Sequence, residues 1–343
     1  MENIMDYKGI EGKMVVSSRV RLARNLSKVP FPVKLDEERA NDIIDKVFNS
    51  CREDESLNSL KDVRLIENKP QVIGCFFEKH LISKELIENF SKTAFLVNDD
   101  EDLSIMINDE DHIRIQSIAV GLDFKSTYDK CLQVDSALEE KLTYAFDENL
   151  GYLTANPRNV GTGIRGSVII HLPAITEANQ LSQVTKHLND FGMIIKPVYM
   201  EDKKCMGNLY QISSEITIGM SEEDILIDLE EEVFKVMTKE FALRKVSLDK
   251  NRIAVLDKVY RSYALIRSAM IISLKEALDL ISNVRLGVEM AIIKDVDVNV
   301  LDNLVMRIQP NNIKLLSDSK NFTDKQIDIE RAKLIRDTLN ENK

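Results

Sequence analysis

The chain has 343 residues, 44% hydrophobic and 30% charged, which suits a soluble globular protein of two compact domains. A net charge of −11 repels phosphate backbones and argues against direct nucleic-acid binding. No apolar run nears the ~18 residues of a membrane span. Met1–Asp6 lacks the basic and apolar regions of a signal peptide, and the four cysteines form no Cys-x-x-Cys pair. These features fit a reducing cytoplasm, with no membrane, disulfide or zinc site.

In chain order, Val16–Leu22 alternates as a strand does, placing Arg19 and Arg21 on one face and Val20 and Leu22 on the other. Glu37–Asn49 has the spacing of an amphipathic helix. At the end of Asn108–Gln116, alternation predicts Ile113 and Ile115 inward, with Arg114 and Gln116 outward. Four of the twelve glycines fall between Gly151 and Gly166, a loop carrying Arg165 just ahead of a β-branched run, Gly166–Leu172. Ala174–Leu188 reads as a helix and Met193–Tyr199 as a strand. Beyond Ser221 the only glycine is Gly287 and the only proline Pro310. Since glycine costs ~1 kcal/mol and proline ~3 inside a helix, this third favours helices. Ser273-Leu-Lys-Glu276 and Thr323-Asp-Lys-Gln326 fit capping boxes, and Leu256, Val259, Tyr260, Tyr263, Ile266 and Met270 predict one buried stripe. The expectation is an α+β domain over 1–230, an antiparallel sheet flanked by helices, followed by an all-α domain over 235–343.

Two short patterns mislead. Gly161-Thr-Gly-Ile-Arg-Gly166 is a G-x-G-x-x-G, but a strand follows it where a dinucleotide site needs a helix. Asp190-Phe-Gly192 is a D-F-G, yet no H-R-D-x-x-x-x-N loop lies between the two. Arg19, Arg21, Arg114 and Arg165 are more informative. Guanidinium forks bind phosphate oxygens bidentately, and several together can neutralise a triphosphate without a Walker lysine, which is absent. Spacing alone leaves open a set of surface salt bridges.

Ser17-Ser-Arg-Val-Arg-Leu-Ala-Arg-Asn25 followed by Pro30-Phe-Pro32 resembles the opening motif of the phosphagen (guanidino) kinases. Asn108-Asp-Glu-Asp-His112 resembles their N-E-E-D-H signature. Gly151–Arg165, reading GYLTANPRNVGTGIR, resembles their C-P-T-N-[LV]-G-T-G-x-R loop, and Gly207–Ser213 their segment after the substrate loop. The similarity extends to the bacterial protein-arginine kinase branch through Val259–Tyr263, Val284–Gly287 and Arg331–Arg336. Metabolite kinases carry a helical domain of roughly 100 residues before the S-[ST]-R motif, a separate domain-sized unit. Only sixteen residues precede Ser17 here.

This resemblance implies transfer of the ATP γ-phosphoryl group to protein arginine, marking proteins for regulation or proteolysis. It implies that ATP and Mg²⁺ are held by Ser17, Ser18, Arg19, Val20 and Arg21, by His80 and Arg114, by Arg165 with Gly166, Ser167, Val168 and Ile169, and by Lys196. Glu110 matches the carboxylate that accepts the guanidinium proton, Glu201 the second carboxylate that grips it, and Asp109 and Asp111 supporting positions. Asn156 replaces the family's pocket cysteine. Lys196 replaces the arginine of an R-G-x-x-G-E loop whose glycines become Pro197 and Met200. Asp328 and Arg331 match a phosphoarginine-binding R-D-x-x-R-A, but Ile327 replaces its leading arginine. Implied partners are arginine-bearing proteins, a second copy of the chain in a homodimer, a zinc-binding activator, a transcriptional repressor and a Clp-type protease. The departures leave two alternatives: a phosphoarginine-binding adaptor of little or no activity, and a kinase of a free guanidino metabolite.

Overall fold

The computed structural model describes residues 13–316 and 322–341. Twelve strands run in chain order: β1 (Val15–Arg24), β2 (Lys61–Arg64), β3 (Ala94–Val97), β4 (Leu103–Ile107), β5 (Ile113–Val120), β6 (Phe146–Asp147), β7 (Gly151–Tyr152), β8 (Ile164–His171), β9 (Met193–Pro197), β10 (Met200–Glu201), β11 (Lys204–Cys205) and β12 (Leu209–Ser214). The chain packs as two compact units. One comprises Ser17–Ser167 and Ser213–Glu230; the other comprises the segments up to Val16, Val168–Ile212 and Glu231 onward.

In the first unit the strand order is β2-β3-β4-β5-β1, then the start of β8. The pairs β2–β3, β3–β4, β4–β5 and β5–β1 are all antiparallel. The expected alternation is present: Val20, Leu22, Ile113 and Ile115 are fully buried. Each such side chain contributes about 1.5–3 kcal/mol relative to exposure. The helix Phe124–Glu139 packs on β5 and buries Cys131, Val134 and Leu138. Asp123 caps it, accepting from the Ser126 amide at 2.9 Å. Glu37–Arg52 is helical as expected and buries Ile43, Ile44, Val47 and Phe48. Gln116 differs from its outward reading. It is buried, because the chain after the helix Pro70–Glu78 covers that face, and its amide donates to the His80 carbonyl at 2.8 Å.

In the second unit the strand order is β8-β12-β9, and helices supply the rest. The expected helix over 174–188 is two, Pro173–Glu177 and Leu181–Asp190, separated by Asn179 at φ 55°. A helix from Glu222 to Ser268 breaks at Asn251 (φ −131°, ψ 38°). Only part of the predicted stripe faces inward. Val259 and Ile266 are buried beside Tyr263, whereas Tyr260 and Met270 are exposed. The Thr323 capping box forms in full, and at Ser273 the N-cap half is made. Ser273 Oγ accepts from the Glu276 amide at 3.2 Å. The Thr323 amide donates to Gln326 Oε1 at 2.8 Å, and the Gln326 amide donates back to Thr323 Oγ1 at 3.3 Å. The helices share a core of Val259, Ile266, Leu278, Val284, Leu301 and Ile335. Among the described residues no helix is long and apolar enough to cross a membrane.

This unit also buries a charged network. Arg244 pairs with Glu240 at 2.7 Å and Glu289 at 2.5 Å, and Arg285 pairs with Glu289 and Asp302, each at 3.1 Å. His171 lies between Glu289 (Nδ1, 3.2 Å) and Ser282 Oγ (Nε2, 2.8 Å). Glu240 also accepts from the Ala174 and Ile175 amides at 2.9 and 2.8 Å, which caps the helix Pro173–Glu177.

Candidate active site

The site of the first unit starts from the alternation of β1. Its register with β5 sets Arg21 opposite Gln116 and Ala23 opposite Arg114. Arg19 donates through Nε to Ser167 Oγ on β8 at 3.2 Å. Arg165 leaves β8 toward Glu215, 3.5 Å from Nη2. Crowding of these cations shows in their titration. Burial, then repulsion by Arg114 and Arg165, brings the Arg19 guanidinium down to about 10. Arg21 is held well below its ordinary value by burial and by Arg19, Arg114 and Arg165. Arg165 is lowered by burial first and also by Arg114. At neutral pH such groups keep their charge, so the cluster is a concentration of positive potential.

Glu110 is positioned by what its neighbours do. Asn108, at φ 57°, starts a tight turn closed by its amide donating to the His112 carbonyl at 3.0 Å. Asp109 is buried, 2.5 Å from Arg114 Nη1, and accepts from Ser83 Oγ at 2.5 Å. Asp111 is buried too, accepting from Asn25 Nδ2 at 2.6 Å and the Ala155 amide at 2.7 Å. His112 accepts the Leu26 amide at Nδ1 (3.1 Å), so its Nε2 donates to the Pro30 carbonyl at 2.9 Å. Burial keeps this ring neutral, down to about 4. The flanking groups are thus spent on structure. Glu110 alone stays partly exposed, bound through Oε2 to Arg114 Nη2 at 3.2 Å and through Oε1 to Asn156 Nδ2 at 2.9 Å.

Asn156 therefore does more than fill the cysteine position. It holds one oxygen of Glu110 and caps the short turn Pro157–Asn159, its Oδ1 accepting from the Arg158 amide at 3.1 Å. The glycine loop is pinned on both sides. Gly161 exchanges hydrogen bonds with Tyr152 at 2.8 and 3.2 Å, and Thr162 donates to the Thr217 carbonyl at 3.1 Å. A Cβ on Gly161, at φ 112°, would lie 2.2 Å from that carbonyl, so only glycine fits.

The structure brings together Arg19, Arg21, Arg114, Arg165, Ser167, Glu110 and Asn156. His80 belongs to the same neighbourhood. It has φ 60° and is held down to about 4 by burial and by Arg19. Ser17 shares the Arg19 face of β1. Ser18 and Val20 do not: both are fully buried on the opposite face, and Ser18 Oγ accepts from the Asp123 amide at 3.0 Å. Gly166 is packed under Leu226 and Leu229.

The other expected residues lie in the second unit. Val168 and Ile169 continue β8, and Ile169 packs on the helical core. Lys196 is exposed on β9. Glu201 is exposed on the β10–β11 hairpin and pairs with Lys275 at 3.0 Å. Arg331 is buried. It donates to the Ile308 and Ile272 carbonyls at 2.9 and 3.0 Å and pairs with Asp328. That arrangement ties helix ends together. Sequence reasoning missed Glu215 and Ser83, because no spacing links such distant residues, and passed over Arg158, which lies inside the glycine loop itself.

The arginine cluster fits a polyanion. The Nε atoms of Arg21 and Arg165 are buried without a hydrogen-bond partner among the described residues, and such donors are costly unless a ligand meets them. Residues 40–243 match the family model described as the ATP:guanido phosphotransferase C-terminal catalytic domain, and residues 252–343 match that of the protein-arginine kinase McsB C-terminal domain. The protein-arginine kinase of Clostridium novyi (strain NT) is 43% identical over 340 residues, 99% of this chain and 98% of that one. The chain belongs to the protein-arginine kinase family. The corresponding protein of Pelotomaculum thermopropionicum is 40% identical over 335 residues, covering 97% and 94%. Among solved structures, the duplicated taurocyamine kinase of Schistosoma mansoni aligns with a TM-score of 0.62 at 20% identity, over 78% of this chain and 39% of that one. A lombricine kinase aligns at 0.59 with 21% identity, over 69% of each. These two likenesses establish the fold.

Proposed function

We propose that the arginine cluster and Glu110 carry out the protein-arginine kinase reaction, with Arg19, Arg21, Arg114 and Arg165 holding the phosphates of ATP. The observation that carries this reading is the buried, partnerless Arg21 Nε within a group of mutually repelling guanidiniums, next to a half-open carboxylate. Mg-ATP supplies the phosphoryl group, its metal screening the phosphates. The chain's part is alignment and electrostatics, which dominate phosphoryl transfer. A free guanidinium, with a pKa above ~12, is a poor nucleophile while protonated. Glu110 orients the attacking nitrogen and takes its proton as the N–P bond forms and the bond from the γ-phosphorus to the β–γ bridging oxygen breaks, with ADP leaving. Arg114 and Asn156 hold one Glu110 oxygen each, and Asp109 holds Arg114. The family resemblance further gives Glu201 to the guanidinium, Lys196, Val168 and Ile169 to the nucleotide, and Ser17, His80 and Ser167 to the nucleotide site of the first unit. Ser18 and Val20 support β1 from its other face.

The same reading makes 1–230 the catalytic domain and 235–343 the regulatory, dimerisation and phosphoarginine-binding domain; the two matched family models part between residues 243 and 252. Cytoplasmic location, a homodimer, and a zinc-binding activator, a repressor and a Clp-type protease as partners rest on the family resemblance. Incubating the protein with Mg-ATP and either a protein mixture or free arginine tests the assignment. Phosphorus NMR should detect an acid-labile N–P product on protein that Glu110→Gln abolishes. Product on free arginine alone would mark a metabolite kinase. No product on either, with Glu110→Gln indistinguishable from wild type, would remove the enzymatic reading and leave the adaptor.

A further inference from the structure

The loop between Asn156 and Arg165 departs from its family pattern at a second position. The C-P-T-N-[LV]-G-T-G-x-R pattern has threonine where this chain has Arg158. The Arg158 backbone is fixed at both ends: its amide donates to Asn156 Oδ1 at 3.1 Å, and its carbonyl accepts from Thr217 Oγ1 at 2.9 Å. The side chain is 73% exposed, and its Nη1 lies 3.5 Å from Glu215 Oε1. Arg165 Nη2 lies 3.5 Å from the same oxygen. The two guanidiniums are therefore within about 7 Å of each other, with one carboxylate oxygen between them.

We propose that Arg158 is a fifth guanidinium of the nucleotide-phosphate clamp, and that Glu215 stands in for a phosphate oxygen between Arg158 and Arg165 until nucleotide arrives. This rests on the reading of Arg165 as a phosphate ligand. A carboxylate and a phosphoryl group offer the same guanidinium fork two acceptor oxygens, but the phosphate carries more charge. Both contacts to Glu215 are longer than the 2.7–2.9 Å of a well-formed charge-assisted bond, so an incoming polyanion displaces a weak partner. Arg165 Nε, buried without a partner among the described residues, is a donor that Glu215 leaves unused. The exchange moves no covalent bond: Glu215 swings toward solvent, and the two arginines turn to phosphate.

Calorimetric titration of the full chain with Mg-ATP and with inorganic tripolyphosphate tests this. Arg158→Gln should weaken binding of both about ten-fold, the scale of one charge-assisted bond. Arg158→Lys should restore part of it. Glu215→Gln should tighten both several-fold, and that gain should shrink in the Arg158→Gln background. Arg165→Gln serves as reference. If it weakens binding while Arg158→Gln stays within two-fold of wild type, the proposal fails and the phosphate clamp stands. If neither weakens binding, both fail. Weaker binding by Glu215→Gln would make that residue a support for Arg165 and overturn the stand-in. A higher KM for protein substrate with unchanged nucleotide affinity in Arg158→Gln would place Arg158 on the protein instead. Arg158 is exposed at its side chain, so thermal melting should be unchanged in its variants.

Discussion

The two units each collect charged side chains away from water, and they do so to opposite ends. In the second unit every buried arginine meets carboxylates: Arg244 has Glu240 and Glu289, and Arg285 has Glu289 and Asp302. In the first unit Arg24 is matched by Asp135 too, but at the candidate site guanidiniums crowd one another, so that Arg19, Arg21 and Arg165 are all lowered in pKa. A matched network recovers its desolvation cost within the fold. A mismatched one leaves potential directed at something absent from the chain, and that asymmetry separates structural charge from functional charge.

The comparison can be broken most forcefully at Arg244. Arg244→Met should strand Glu240 without its cation, leave Glu289 to Arg285 alone, and destabilise by about 3–5 kcal/mol. Melting should fall on the order of 10 °C; an unchanged melting temperature would mean the network is not structural. Glu110→Gln should lower turnover by about 10²–10⁴-fold, the usual worth of general-base catalysis, with melting unaltered. Arg21→Gln is the sharpest contrast. It should cut turnover and nucleotide affinity at least ten-fold, on the order of one lost charged bond, yet leave stability unchanged or higher by up to about 1 kcal/mol, because a buried like-charge repulsion disappears. A stability loss resembling that of Arg244→Met would erase the distinction between the units.

Acid provides a gentler probe. Burial holds the His171 imidazole at about 4, below its usual 6.5, so the unfolded chain binds that proton first and stability falls as pH drops from 6.5 toward 4. The Glu289 carboxyl, held at about 2 against burial by Arg244 and Arg285, contributes stability above pH 4.5 that is lost on approaching 2. Asp302, pushed up to about 6 by burial, acts with the opposite sign and regains some stability between pH 6 and 3.8. His171 and Asp302 nearly offset each other, but His80 and His112 are also held at about 4 by burial, so urea midpoints should decline gradually below pH 6.5 and then steeply below 4.5. A midpoint flat from pH 7 to 4 would contradict the burial of these groups.

Much of this was legible in the sequence, for identifiable reasons. Alternation in Val16–Leu22 fixed which face Arg19 and Arg21 share, since a strand has a period of two. Both capping boxes were readable because their partners lie three residues apart. What stayed hidden depends on distant chain. Nothing local marks Gln116 as buried under the segment around His80, or Arg331 as a tie between Ile272 and Ile308. Tyr260 and Met270 have the right spacing for the core but lie at the edges of the stripe and are exposed. Glu215 meets Arg165 across fifty positions, a distance at which spacing carries no information.

The contact of Gly161 with the Thr217 carbonyl has a consequence for motion. Loops rich in glycine are ordinarily expected to be pliable, but the amides of Tyr152, Gly161, Thr162 and Ala23 are all engaged across this one. Here the missing side chains bring backbone against backbone, and the segment should exchange its amide hydrogens as slowly as the strands around it. The loop is then a rigid template. Whatever adjusts during turnover must be the side chains mounted on it, and a library of replacements at Gly161 should return glycine alone.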